Sequence, residues 1–341
     1  MSEKQTAIAV VGAGSWGTAL AIQFARTGRP TLLWGHDPEH VARLLEDGEN
    51  RQYLPDARFP EALTVAPGLS RALQDATDVL VAVPSHGFRD ILKRIKPLLA
   101  PEGRVAWATK GFELSTGKLP HEVAREVLGD SVPLAVLAGP TFASEVGAGL
   151  PTAMTVASDD QDFADDLARS ISDEQFRAYT TTDMTGVEVG AAIKNVLAIG
   201  AGISDGLGFG ANTRIALITR GLVEMTRLGL ALGGRKETFM GLAGIGDLVL
   251  TCTDNQSRNR RMGLALAAGK SIDEAQTEIG QVVEGVQAAR AVHDVAQRLG
   301  VEMPIAEQIY SVLYRDADPR TAVATLMRRA LKPESGDTED G

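Results

Sequence analysis

Between Thr6 and Thr180 short apolar runs alternate with amphipathic stretches, and beyond Thr185 the short runs stop. A short apolar run bounded by turn residues reads as a buried strand, and apolar positions recurring every three or four residues read as one face of a helix. Strands are predicted at residues 7–11, 31–34, 78–83, 104–109, 134–138, 153–157 and 176–179, with helices at 18–26, 38–47, 88–98 and 161–171 among the segments between them. This alternation predicts an α/β Rossmann-type domain, a mostly parallel sheet covered by helices. After residue 185 the pattern predicts helices alone, at 211–232, 259–267, 285–299, 304–313 and 319–331.

One helical stretch stands apart. Lys194 and Asn195 carry the only hydrogen-bonding side chains between Val189 and Ile203, where every other residue is Val, Ile, Leu, Ala or Gly. A helix apolar on all sides is a buried helix, and a buried ammonium needs a lowered pKa or a polar partner. Such a lysine faces a cavity, or else its stem snorkels along the core to water. Thr185-Gly186-Val187-Glu188 has capping-box spacing and predicts the helix start.

At 341 residues the chain is too long for one ordinary core, so two domains are expected. A net charge of −10 argues against a nucleic-acid or anionic-membrane surface. Cys252 is the single cysteine, which excludes an internal disulfide and reads as a small buried thiol, with a nucleophilic role as the alternative. The N-terminus has no signal-peptide pattern, and no run reaches about eighteen consecutive apolar residues, so a cytoplasmic protein without membrane insertion is expected.

Gly12-Ala13-Gly14-Ser15-Trp16-Gly17 follows the first predicted strand and leads into a helix. This is G-x-G-x-x-G in strand-turn-helix context, where helix-start N–H groups meet a pyrophosphate. Gly12, Gly14, Ser15, Trp16 and Gly17 are therefore candidate cofactor positions, Trp16 through its backbone and packing. The expected organisation is a dinucleotide-binding domain over 1–184, an all-α substrate domain over 185–332 and a charged, fraying tail over 333–341. After the second strand, Asp37 stands where an acid bonds the ribose of NAD, while His36 suits the phosphate of NADP. Asp37 ahead of Pro38 also reads as a simple helix cap.

Other strand ends lead into Pro84-Ser85-His86, Lys110-Gly111 and Gly139-Pro140-Thr141, and ligands of open α/β sheets bind at such ends. In the second half Asp247 follows a glycine-rich turn. Ser257-Arg258-Asn259 at a helix start offers one phosphate a planar fork, neutral donors and the helix dipole, or is a basic cap. Val282-Val283-Glu284 precedes the next helix and can serve simply to cap it.

Taken in order, Gly12 to Gly17, Lys110-Gly111, Gly139-Pro140-Thr141, Lys194-Asn195, Gly246-Asp247-Leu248 and Ser257-Arg258-Asn259 closely resemble bacterial NAD(P)-dependent glycerol-3-phosphate dehydrogenases, across most of the chain. The resemblance implies a reversible hydride transfer between NAD(P)H and dihydroxyacetone phosphate, giving sn-glycerol 3-phosphate for glycerophospholipid synthesis. It makes Lys194 the acid/base and places Lys110, Gly139, Thr141, Lys194, Asp247, Ser257, Arg258 and Asn259 at the substrate, a small phosphorylated triose. It places Ser15, Trp16, His36, Tyr53, Lys110, Ala143, Arg258, Val282 and Glu284 at the cofactor, and no residue at a metal. Many members carry arginine where this chain has His36, so the choice between NAD and NADP stays open. The alternatives are a hydroxy-acid or sugar-acid dehydrogenase of the same fold, and a non-catalytic redox sensor. The apolar C-terminal helices leave room for a homodimer interface.

Overall fold

The apolar runs assemble into one eight-stranded sheet in a computed structural model, which describes residues 6–328. The strands are β1 (Ala7–Val11), β2 (Thr31–Trp34), β3 (Glu49–Asn50), β4 (Leu54–Arg58), β5 (Leu63–Val65), β6 (Ala76–Val81), β7 (Arg104–Trp107), β8 (Leu134–Ala138), β9 (Thr152–Ser158) and β10 (Phe176–Thr181). Their order in the sheet is β10-β9-β8-β7-β6-β1-β2-β5, parallel throughout except for the antiparallel pair β8/β9. β3 and β4 form a separate antiparallel pair.

The continuous apolar character of β1 has a direct cause. Ile8 and Val10 pack on one face with Leu20, Phe24 and Leu167, while Ala9 and Val11 pack on the other with Leu92, Trp107 and Val123. A strand covered on both faces cannot alternate apolar with polar. Strand order reverses between β1 and β6, so a crevice opens at their carboxyl ends, where open α/β sheets bind ligands.

All described residues beyond Thr181 that form regular structure are helical. The helix Met184–Gly206 runs through their centre, enclosed by Ala211–Ala231, Asp247–Thr253, Arg258–Ala267, Glu284–Leu299 and Pro304–Tyr314. It is long and apolar enough to cross a membrane by length and composition, yet its apolar window is packed entirely inside the protein. The last predicted helix is seen as Pro319–Met327, and the expected tail at 333–341 lies outside the described residues.

The helix start corrects the capping-box expectation. Asp183 is the cap, and its Oδ1 accepts the Gly186 N–H at 2.9 Å. Its Oδ2 accepts from the Arg235 N–H and the Thr238 hydroxyl at 2.8 and 2.6 Å. Glu188 faces the sheet instead, where it accepts from Trp107 Nε1 and the His121 N–H, both at 3.0 Å, and stands 2.6 Å from His121 Nδ1. Burial raises the Glu188 pKa; at His121 burial is the largest influence and opposes a rise, but the hydrogen bond and charge of Glu188 together with the charges of Glu122 and Asp159 outweigh it. This network ties the core helix to the sheet.

Candidate active site

At the end of β1 the chain turns sharply between β1 and β6. Gly12 has φ +125°, and a Cβ there would stand 2.3 Å from the Ala82 carbonyl oxygen. A Cβ on Gly17 would stand 1.9 Å from Gly12 O, whereas one on Gly14 would meet nothing within 4 Å. The first and third glycines are thus required by packing, and the middle one leaves an open approach. Gly14 is the N-cap of the helix Ser15–Arg26 and offers no side-chain cap, so the geometry fits a pyrophosphate on the first-turn N–H groups.

The turn is held from behind. The Ala13 carbonyl accepts Asn50 Nδ2 at 3.0 Å, and His40 Nε2 lies 3.3 Å away as a second donor. Asn50 Oδ1 also accepts the Tyr53 N–H at 3.2 Å, and the Tyr53 ring packs edge-on against His40 at 5.1 Å. Tyr53 therefore stands behind the glycine turn on the β3/β4 hairpin, which hydrophobic patterning did not predict. His36 is exposed just past β2. Asp37 caps the helix Pro38–Asp47, its Oδ1 accepting the Glu39 N–H at 3.0 Å.

Lys194 does not reach water. It is buried, and its Nζ donates to Asp247 Oδ1 and, at 3.1 Å, to Thr251 Oγ1. Burial is the largest influence and pulls its pKa down to about 8; Asp247 opposes this and the charge of Lys110 adds to it. Asp247 opens the helix Asp247–Thr253, so Thr251 lies one turn along the same face. The preceding turn meets the core helix backbone to backbone, because a Cβ on Gly190 would stand 2.3 Å from Ala243 O. Among the described residues Asp247 Oδ2 is buried without a hydrogen bond, and it lies 3.8 Å from Lys110 Nζ, which comes from the loop after β7. That ammonium lies 5.8 Å from the centre of the Trp16 ring.

Asn195, the next residue, organises the other side. Its Oδ1 accepts Asn259 Nδ2 at 2.9 Å, its Nδ2 reaches Glu284 Oε2 at 3.4 Å, and Asn259 Oδ1 accepts the Gly285 N–H at 2.8 Å. Ser257 caps the helix Arg258–Ala267 by accepting the Arg260 N–H at 3.2 Å. Ser257 and Asn259 are buried and already bonded within the protein, which leaves Arg258 as the partly exposed member of the three. Its Nη1 donates to Val282 O at 3.0 Å. Lys110, Asn195, Val282 and Glu284 line one recess with Pro84 and Ser85.

The loop after β8 closes the arrangement. Thr141 Oγ1 donates to Gly139 O at 3.2 Å, and Pro140 lies within 3.6 Å of where a Gly246 Cβ would stand. Gln256 accepts from Ser144 at 2.6 Å and donates to Glu145 at 2.9 Å, fastening the helix that begins at Ala143 to the Ser257 turn. Cys252 is buried, and burial pushes its thiol up to about 12, so it is no nucleophile. Thr251 and Asn195 were not among the site residues read from sequence. The four-residue step from Asp247 to Thr251 was the available signal for the first, and adjacency to Lys194 for the second.

Comparison with known proteins bears on the whole chain. Residues 7–164 match the family model described as NAD-dependent glycerol-3-phosphate dehydrogenase N-terminus, and residues 183–324 match its C-terminus. A glycerol-3-phosphate dehydrogenase (NAD(P)+) of Aeromonas hydrophila is 60% identical over 331 residues, 97% of this chain and 99% of that protein. One from Shigella boydii is 56% identical over 335 residues, 98% and 99% of the two chains. The crystal structure of a glycerol-3-phosphate dehydrogenase from Coxiella burnetii has a TM-score of 0.93 at 48% identity, covering 96% of this chain and 100% of that one. A ketopantoate reductase from Ralstonia eutropha, at 17% identity and TM-score 0.58, shares the fold alone. The chain belongs to the NAD-dependent glycerol-3-phosphate dehydrogenase family.

Proposed function

We propose that this protein reduces dihydroxyacetone phosphate to sn-glycerol 3-phosphate, reversibly, with NADH or NADPH, and that Lys194 is its acid/base. The observation that carries the reading is a buried amine with a pKa near 8, held on a carboxylate between the dinucleotide turn and the Ser257-Arg258-Asn259 helix start. When bound, the cofactor supplies the hydride that adds to C2. Lys194 donates its proton to the carbonyl oxygen as the C2–H bond forms, so the C=O π pair becomes the new O–H bond. In reverse Lys194 removes that proton.

Each neighbour has a physical task. Asp247 and Thr251 fix the Nζ position, and Lys110 brings a second donor to the substrate oxygens. Arg258 holds the phosphate with the donors that Val282 leaves free, backed by the helix dipole. The product is the phosphorylated glycerol backbone from which glycerophospholipids are built. The homodimer expectation attaches to the helix Ala211–Ala231, which exposes Ile215, Val223 and Leu230, and sedimentation velocity tests it. An NADH absorbance assay with dihydroxyacetone phosphate, beside 2-oxo acids, tests the reaction itself. Turnover of the acids alone, or of neither class, overturns the reading.

Arg258→Ala is expected to lower kcat/KM for dihydroxyacetone phosphate by roughly one to two orders of magnitude, mainly through KM. A charge-assisted hydrogen bond to a group that does not react is worth about 1.5–3 kcal/mol. Steady-state kinetics check this, and an unchanged KM places the phosphate elsewhere.

His36→Arg is expected to raise the efficiency ratio of NADPH to NADH. A permanent planar cation would replace an imidazole at an exposed position past β2. If the ratio measured with the two cofactors stays level or falls, His36 is not at the ribose.

A further inference from the structure

The Trp16 side chain is the part of the dinucleotide turn that the reaction above leaves idle. Its ring packs on the edge of one sheet-face core, yet its Nε1–H is buried with no hydrogen-bond partner among the described residues. An indole usually finds a partner for that N–H when buried, so the donor does not dictate how this ring lies. The ring does meet a charge. Lys110 Nζ stands 5.8 Å from its centroid, within cation–π range. The same ammonium is 3.8 Å from Asp247 Oδ2, the oxygen not bonded to Lys194, which is too long for a hydrogen bond. On a four-carbon flexible stem, Lys110 is not fixed there by the carboxylate alone.

We propose that Trp16 is a positioning residue: its ring face holds the Lys110 ammonium beside Asp247, joining the turn that receives the dinucleotide to the carboxylate that holds Lys194. The inference rests on the acid/base role of Lys194. Two ammonium groups then share one carboxylate, and Lys194 keeps its proton less firmly than in an isolated pair. Without the ring Lys110 is free to swing toward solvent, Asp247 serves Lys194 alone, and the Lys194 proton is held more tightly.

The titratable and charged groups acting on Lys194 from the elements packed against it are Asp247 and Cys252 on the helix Asp247–Thr253 and Lys110 on the loop after β7. The Cys252 thiol stays protonated. Arg260 and Asp205, which act on Cys252, pair with each other at 2.6 Å. Lys110 is therefore the charge whose place the Trp16 ring sets.

The test is the pH dependence of kcat/KM for dihydroxyacetone phosphate reduction at saturating cofactor, which reports the acid in the enzyme–cofactor complex that meets the substrate. In Trp16→Leu the alkaline limb, where Lys194 loses its proton, is expected to move up by roughly half a unit. Trp16→Phe retains a ring face and is expected to return the limb toward its original position; Lys110→Met alone is expected to raise the limb as Trp16→Leu does, and keeps the test open if the leucine variant does not fold. In a Lys110→Met background Trp16→Leu is expected to add no shift. A limb that stays in place in Trp16→Leu, whether or not the cofactor KM changes, overturns the inference. So does a shift of equal size in the Lys110→Met background. Should Lys194→Ala keep the alkaline limb, the acid/base reading itself falls, an outcome distinct from either of these.

Discussion

In Lys194→Ala, kcat for dihydroxyacetone phosphate reduction is expected to fall by roughly 10²–10⁴-fold, the usual contribution of a positioned general acid. In the proposed role the loss belongs mainly in kcat, because the amine would meet an oxygen whose charge develops only as the hydride arrives. An ordinary lysine, with a pKa near 10.4, is a poor base at neutral pH, whereas burial brings Lys194 to about 8. The sign of the pH dependence follows for each direction. Reduction needs the protonated amine and declines as pH rises through about 8; oxidation of glycerol 3-phosphate needs the free amine and increases over the same interval. Removing the lysine also strands the buried Asp247 carboxylate, so Lys194→Met, which fills the space of the stem, is to be melted and assayed alongside. Near-normal kcat in a folded Lys194→Ala protein would make the lysine structural.

The isolation of Lys194 and Asn195 in an apolar stretch was readable from sequence because burial on all sides erases helical periodicity. Val189 to Ile203 indeed lies wholly inside the helical half. What surrounds Lys194 was legible only in part. Asp247 was visible as a lone carboxylate after glycines, but its partner Thr251 and the contact with Lys110 depend on how the kinked segment Leu242–Gly246 meets Gly190. Spacing along the chain carries no record of that approach.

The dinucleotide half divides in the same way. β1, β2 and β8 have the predicted limits because each is covered on both faces and reads as an unbroken apolar run. β4 was missed: its sequence is Leu-Pro-Asp-Ala-Arg, and Asp56 has φ +65°. A polar edge ribbon has no alternation to detect, and its place is set by Asn50 reaching back to Ala13. Thr185 and Glu188 matched a local rule that lost to tertiary structure. Asp183 had donors from two segments to satisfy, and Glu188 was the carboxylate available to the buried Trp107 N–H and to His121. Ser257 and Asn259 taught a related lesson, since residue types suited to phosphate also suit a cap and a bracket between helices.

Gly202→Val is expected to destabilise the protein by about 3 kcal/mol or more, the upper end of what overpacking costs. A Cβ at Gly202 would stand 2.0 Å from Arg260 O, and one at Gly263 would stand 2.0 Å from Ile199 O. One turn on, a Cβ at Gly206 would stand 2.5 Å from that of Ala267. Gly202 and Gly206 on the core helix thus face Gly263 and Ala267 on the helix Arg258–Ala267, so the two backbones touch without intervening side chains. Helix propensity favours replacing a helical glycine by up to about 1 kcal/mol, but a carbonyl oxygen cannot rotate away as a side chain can, so the clash wins. At roughly 1–2 °C per kcal/mol for a chain of this size, Tm should drop by about 3–6 °C. Gly87→Ala is the control, because its Cβ would have 4.0 Å of clearance in a helix and only the propensity gain should remain. The same close approach sets Asn259 against Asn195, the neighbour of Lys194, with Arg258 at the start of the same helix as Asn259. The Ala substitution at Gly202 should therefore raise KM for dihydroxyacetone phosphate even where the protein stays folded. If Gly202→Val melts with the parent, these helices are not in backbone contact, and the proposed placement of the phosphate near Lys194 loses its physical basis.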